Sequence, residues 1–129
     1  MRGRGDTSVD RVQVVREYWK AVEARDWQRA WASLHPDFVA TWPVTRERFS
    51  RQEFIKVNEE YPGEWHIHVD RVHALGEEVV SVVTVTAGPQ WFCAVSFFEF
   101  EGLLVTKAKE YWADGVEPPD WRKGLGERG

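Results

Sequence analysis

VDRVQVVREYWKAVEARDWQRAWASLHPDFVATWP, residues 9–43, decides the fold of this chain. Val12, Val15, Trp19 and Val22 recur at helical spacing with Tyr18 beside them, so the segment opens as a long helix with one apolar stripe. Thr7 or Ser8 can cap its start, and Asp10 falls in the first turn, where a carboxylate favours the helix dipole. Arg25-Asp26-Trp27 breaks the helix. Asp26 is placed to cap a short second helix, whose buried side is Trp27, Ala30, Trp31 and Leu34. Pro36 ends it, with His35 closing its last turn, and Phe38 to Trp42 reads as a short strand. Four of the eight tryptophans (Trp19, Trp27, Trp31 and Trp42) lie in this stretch. Such an order implies a helical lid closing over a sheet and lining a pocket.

Downstream, Ser50-Arg51-Gln52-Glu53 is a capping box that opens a third helix, with Phe54, Ile55 and Val57 on its apolar side. Tyr61-Pro62-Gly63 stops it. From Glu64 the period becomes strand-like. Runs near 65–75, 79–87, 90–100 and 103–112 are separated by Gly76-Glu77-Glu78, Gly88-Pro89 and Glu101-Gly102, which predicts three successive hairpins. Helices first and an antiparallel meander after them give an α+β layout with the helices on one sheet face. Residues 1–7 read as a loose N-terminus, 8–113 as a single domain and 114–129 as a C-terminal tail.

At 129 residues the chain can build one core, and 43% hydrophobic residues exclude a disordered composition. A net charge of −4, without clustered Lys and Arg, argues against nucleic acid as a partner. No apolar run is long enough to span a membrane, and cytoplasm is the default location. The single cysteine, Cys93, lies in an apolar strand and reads as an inert buried thiol. His66 and His68 share a strand face with Asp70, but three ligands strung along one strand do not converge on one ion, so no metal is expected. No phosphate loop, paired-cysteine motif or nucleophile elbow is present, and no cofactor is implied.

The last hairpin can be read side chain by side chain. A three-residue loop, Phe100-Glu101-Gly102, sets Glu99 opposite Leu103 and Phe92 opposite Glu110. Phe92, Ala94, Ser96 and Phe98 then share a face with Thr106, Ala108, Glu110 and Trp112. Lys107 and Lys109 lie on the other face, so the Glu110 face is the inner one. A carboxylate among aromatics loses hydration, which raises its pKa and suits proton transfer; a structural glutamate held by hydrogen bonds is the alternative. The outer face carries Trp91, Cys93, Val95 and Phe97, and the 79–86 run is similarly apolar on both sides, with Val79, Val83 and Val85 on one and Val80 and Val82 on the other. That is too apolar for water. A second copy of the chain is the simplest cover, giving a homodimer through Trp91, Val95 and Phe97; a C-terminal tail folding back through Trp121 is the other.

The first helix, the Arg25-Asp26-Trp27 break, HPDFVATWP (35–43) and a closing strand ending Glu110-Tyr111-Trp112 resemble the nuclear-transport-factor-2-like superfamily, in particular its SnoaL-like members, over about residues 8–113. The resemblance implies a cone-shaped, cystatin-like α+β fold: a strongly curved antiparallel sheet wraps the N-terminal helices around a deep pocket, usually in a dimer. In the polyketide cyclases of this group an acidic residue on the final strand, two places before an aromatic, is catalytic, and Glu110 matches it. In the ketosteroid isomerases a helix-one tyrosine donates to the oxyanion, and Tyr18 matches that. The isomerase base falls on Trp42, and the second oxyanion acid near Ser96. Both departures argue against steroid isomerase chemistry, and the Asp-Arg-Asp set of the related epoxide hydrolases is not evident.

Two functions follow from these readings. In the first, a small, hydrophobic, cyclic substrate enters the cone, Glu110 moves a proton beside a carbonyl and Tyr18 donates to the oxyanion, with Trp19, Trp31, Trp42, Phe92, Ser96 and Trp112 shaping the pocket. In the second, the pocket binds a hydrophobic ligand without chemistry, or only the dimer surface matters. A cavity in which Glu110 and a second polar group converge within hydrogen-bond reach of a common point favours the first, and a cavity collapsed by tryptophan packing favours a structural or interaction role.

Overall fold

The computed structural model describes residues 4–129. Helix α1 runs Arg4–Glu23, so Thr7 and Ser8 lie inside it instead of capping it, and residues 4–7 are helical where a loose end was expected. Neither residue stops a helix that has no proline to break it. Val15, Tyr18, Trp19 and Val22 of its stripe are buried. The break is a left-handed backbone at Arg25, φ 59°, after which Asp26 caps α2 (Trp27–Ala32) by accepting the Arg29 N–H at 3.1 Å.

Strand β1 spans Leu34–Trp42, longer than expected, and Leu34 is its buried first residue. Pro36 falls where the register with the neighbouring strand shifts, between Leu34 and Val39, so its missing N–H removes no ladder bond. His35 therefore does not close α2. Its Nε2 lies 3.4 Å from Glu101, and its Nδ1 accepts the Asp37 N–H at 3.0 Å. A short exposed strand, β2 (Glu47–Ser50), pairs back on β1 and was not legible in the sequence. Ser50 and Glu53 then form the reciprocal capping box of α3 (Arg51–Glu59).

Strands β3 (His66–Leu75), β4 (Glu78–Ala87), β5 (Gln90–Glu101) and β6 (Leu104–Asp114) form the meander, and one sheet has the order β2-β1-β6-β5-β4-β3. The meander is antiparallel. β1, however, runs parallel to β6, so the sheet is mixed. The two strands meet only after the whole meander is built, and no local signal marks their pairing.

The closing hairpin turns on two residues, Gly102 (φ 59°) and Leu103, which sets Glu101 against Leu104. A bulge at Glu99/Phe100 then places Ser96 against Glu110, so Glu110 opposes Ser96 and not Phe92. The displacement is an even number of residues, so every side chain keeps its expected face. Ala94, Ser96, Phe98, Ala108 and Glu110 are all buried on the inner face, under helices whose Tyr18 ring packs edge-on against Trp19 (5.0 Å) and stacks on Phe54 (6.4 Å). On the outer face Lys107 and Lys109 are exposed, and Val80, Val82, Val95 and Phe97 are half-buried. Trp121 is 75% exposed and does not fold back over them.

Candidate functional site

Between the inner sheet face and the helices lies an open cavity of about 350 Å³. Trp19 of α1, Trp42 of β1, Phe92 of β5 and Trp112 of β6 form its walls, joined by Tyr61 and Trp65 from the segment after α3. These rings meet mainly by edges: Trp42–Trp112 centroids are 6.0 Å apart, Phe92–Trp112 5.4 Å and Tyr61–Trp65 5.9 Å. Edge contacts brace the wall without filling the space, so the tryptophans line a cavity and do not collapse it. Glu47 and Asp114 are further lining residues.

Glu110 is on this wall, at 1% exposure. Its Oε1 accepts the Trp42 indole N–H at 3.0 Å, and its Oε2 accepts the Ser96 hydroxyl at 2.6 Å. Burial lifts its pKa above the ordinary carboxylate value, and the Ser96 and Trp42 bonds, which pull downward, only partly offset it. Tyr18 is also buried. Burial first, and the charge of Glu110 second, hold its phenol well above its usual pKa, so it stays protonated.

The remaining expected residues separate. Ser96 reaches the cavity only through Glu110. Tyr18 packs among Trp19, Phe54 and Phe98 and is not part of the cavity wall. Trp31 also lies away from it: the Arg51 guanidinium sits 3.7 Å over its ring and donates to its carbonyl at 3.1 Å. A helix of six residues commits only one side to the core, and on α2 that side is Ala30.

Two supports were missed, and one expected wall residue carries an unpaired donor. The Ser81 hydroxyl, buried, accepts the Trp19 indole N–H at 3.0 Å; its signal was a lone polar residue among Val79, Val83 and Val85. Arg25 lies 3.5 Å over the Trp65 ring and donates to its carbonyl, tying the end of α1 to the start of β3. Trp112 carries a buried Nε1–H with no hydrogen-bond partner among the described residues.

His66 pairs with Glu23 at 3.0 Å on the edge strand β3, and among the described residues no group of three His, Cys, Asp or Glu could hold a metal ion. Among them too, no helix is long and apolar enough to cross a membrane.

Comparison with curated proteins yields no match. Among solved structures, a ketosteroid isomerase candidate from Kribbella flavida is 31% identical, with 95% of this chain and 91% of that one covered and a TM-score of 0.84. An NTF2-like protein of unknown function from Burkholderia xenovorans is 20% identical, covering 95% and 97%, with a TM-score of 0.81. A candidate SnoaL-like polyketide cyclase from Jannaschia is 16% identical, covering 87% and 91%, with a TM-score of 0.73; at such identity the likeness is one of fold alone. The SnoaL-like domain family matches residues 15–108, a span from the middle of α1 to the inner face of β6. With that match added to the six-stranded curled sheet and its helices, this chain belongs to the SnoaL-like domain family.

Proposed function

We propose that this protein takes a small apolar, cyclic molecule into the cavity and that Glu110 moves a proton beside a carbonyl of that molecule. One observation carries the reading: a buried carboxyl group stands on the wall of an open aromatic cavity, with no cation contributing to its ionisation. Its raised pKa brings it toward the range where one group can take and return a proton. The ionised carboxylate removes a proton from the carbon next to the carbonyl, the electron pair moves to the carbonyl oxygen, and the proton is returned elsewhere. Trp112, two residues along the same strand face, has the unpartnered N–H that we assign to the developing oxyanion. Tyr18 is then a neutral neighbour packed among Trp19, Phe54 and Phe98 off the cavity wall, not a substrate contact. The likeness to the Kribbella flavida isomerase candidate supports proton transfer as the reaction class. Trp42, which stands where the resemblance puts that enzyme type's base, donates to Glu110 instead.

A thermal-shift screen of cyclic ketones and small aromatics should find binders. On one that is converted, Glu110→Gln should lower kcat by about 10²-fold or more. An unchanged kcat removes Glu110 from the reaction. One observation favours a second reading, a binding protein without chemistry: both Glu110 oxygens already accept a hydrogen bond, as a structural brace would. On that reading ligands bind, none is converted, and Glu110→Gln leaves affinity nearly as it was.

We also propose that the outer sheet face pairs two copies of the chain. Val95 and Phe97 are only half-buried there and Trp91 is 51% exposed, on a face that no helix among the described residues covers. Sedimentation should give a dimer for the parent protein and a monomer for Val95→Glu, with the far-UV spectrum unchanged. A monomeric parent protein rules the pairing out.

A further inference from the structure

We infer that the cavity selects a cation: a protonated amine carried on an apolar ring body, with the ammonium held near Glu47 and Asp114. The inference rests on the pocket reading above and adds the ligand's charge. Among the described lining residues there is no Lys, Arg or His; apart from the phenol of Tyr61, the ionisable ones are Glu47, Glu110 and Asp114. Six of the remaining lining side chains are aromatic, and the faces of such rings attract cations.

Two of the three acids, Glu47 and Asp114, are exposed, while Glu110 is buried and hydrogen-bonded. Glu110, Trp112 and Asp114 alternate on one face of β6, so a ligand lying along that strand meets a carboxyl group, an indole and a second carboxylate in turn. Glu47 stands on β2 directly opposite Trp42, whose own ring meets Trp112 edge-on at 6.0 Å. Neither the Glu47 nor the Asp114 side chain forms a hydrogen bond or ion pair among the described residues, and both residues are exposed. Two unpaired carboxylates over aromatic walls favour the entry of a cation and repel carboxylates and phosphates.

Three probes of one shape separate charge from fit: naphthalen-2-ylmethylamine, naphthalen-2-ylmethanol and 2-naphthoate, titrated calorimetrically at pH 7. The amine should bind about tenfold or more tightly than the alcohol, and the naphthoate more weakly than either. Added salt should weaken the amine and not the alcohol. The double variant Glu47→Gln/Asp114→Asn should bring the amine to within about threefold of the alcohol. An alcohol that binds as tightly as the amine overturns the inference while the pocket reading stands, and so does an amine advantage that survives added salt or the double variant. Failure of all three probes to bind overturns both.

Discussion

Glu110→Gln should be more stable than the parent protein at pH 8 and nearly equal to it at pH 4. Burial raises the Glu110 pKa in the fold, so between the unfolded and folded values the native state holds a proton that the unfolded chain has released. Stability then falls as pH rises through that window, by about 1.4 kcal/mol for each unit by which folding raises the pKa. Glutamine is neutral at every pH and keeps both contacts: its oxygen accepts from Trp42, and its amide donates to a Ser96 hydroxyl that only has to rotate. Glu23 and Glu53 are shifted downward, which gives the opposite slope, but they are present in both proteins and cancel in the difference. Urea midpoints from pH 4 to 8 measure it. A gap that stays constant with pH means that Glu110 ionises in the fold as it does in the unfolded chain.

Glu110→Ala separates packing from charge. It leaves the Ser96 hydroxyl and the Trp42 N–H without their acceptor and opens a void in the wall, which should destabilise the protein by about 2–4 kcal/mol at pH 7. Comparison with the glutamine variant divides that loss into a charge part, which varies with pH, and a packing part, which does not.

What could be read from residues alone was whatever local chemistry fixes. Asp26 and the Ser50-Glu53 box act within four residues of themselves and open α2 and α3 as expected, and the glycines mark the turns, although the closing turn is Gly102-Leu103 instead of the expected Phe100-Glu101-Gly102 loop. The face of Glu110 was legible because strand side chains alternate, and an error of an even number of residues in the hairpin leaves that alternation intact. Its partner was not legible, because the two-residue turn moves the register by three and the bulge at Glu99/Phe100 by one more, and neither has a signature in this sequence. The parallel seam between β1 and β6, and the short strand β2, depend on tertiary pairing. Trp19 and Trp31 show the same limit. Both are helical tryptophans, yet one lines the cavity and the other lies under Arg51, twenty residues further along the chain. Trp19 belongs to the buried stripe of the long α1, whereas the rotation of the short α2 decides where Trp31 points, and no heptad or cap specifies that rotation.

Trp19 shows how the cavity wall and the core depend on one side chain. At 2% exposure it closes one side of the cavity, meets the Tyr18 ring edge-on and donates to the buried Ser81 hydroxyl on β4. Trp19→Ala should therefore destabilise the protein by about 3–5 kcal/mol, through lost burial and a void that joins the cavity. Trp19→Phe keeps most of the ring area and removes the donor, so its loss should be nearer about 1–3 kcal/mol. If that loss comes from the orphaned hydroxyl, Ser81→Ala added to Trp19→Phe should recover part of it, because the two positions are in contact and their effects do not add. Urea unfolding of the four proteins completes the cycle. Additive losses would mean that the indole acts here as bulk alone, and that α1 is held to β4 by packing without the bond.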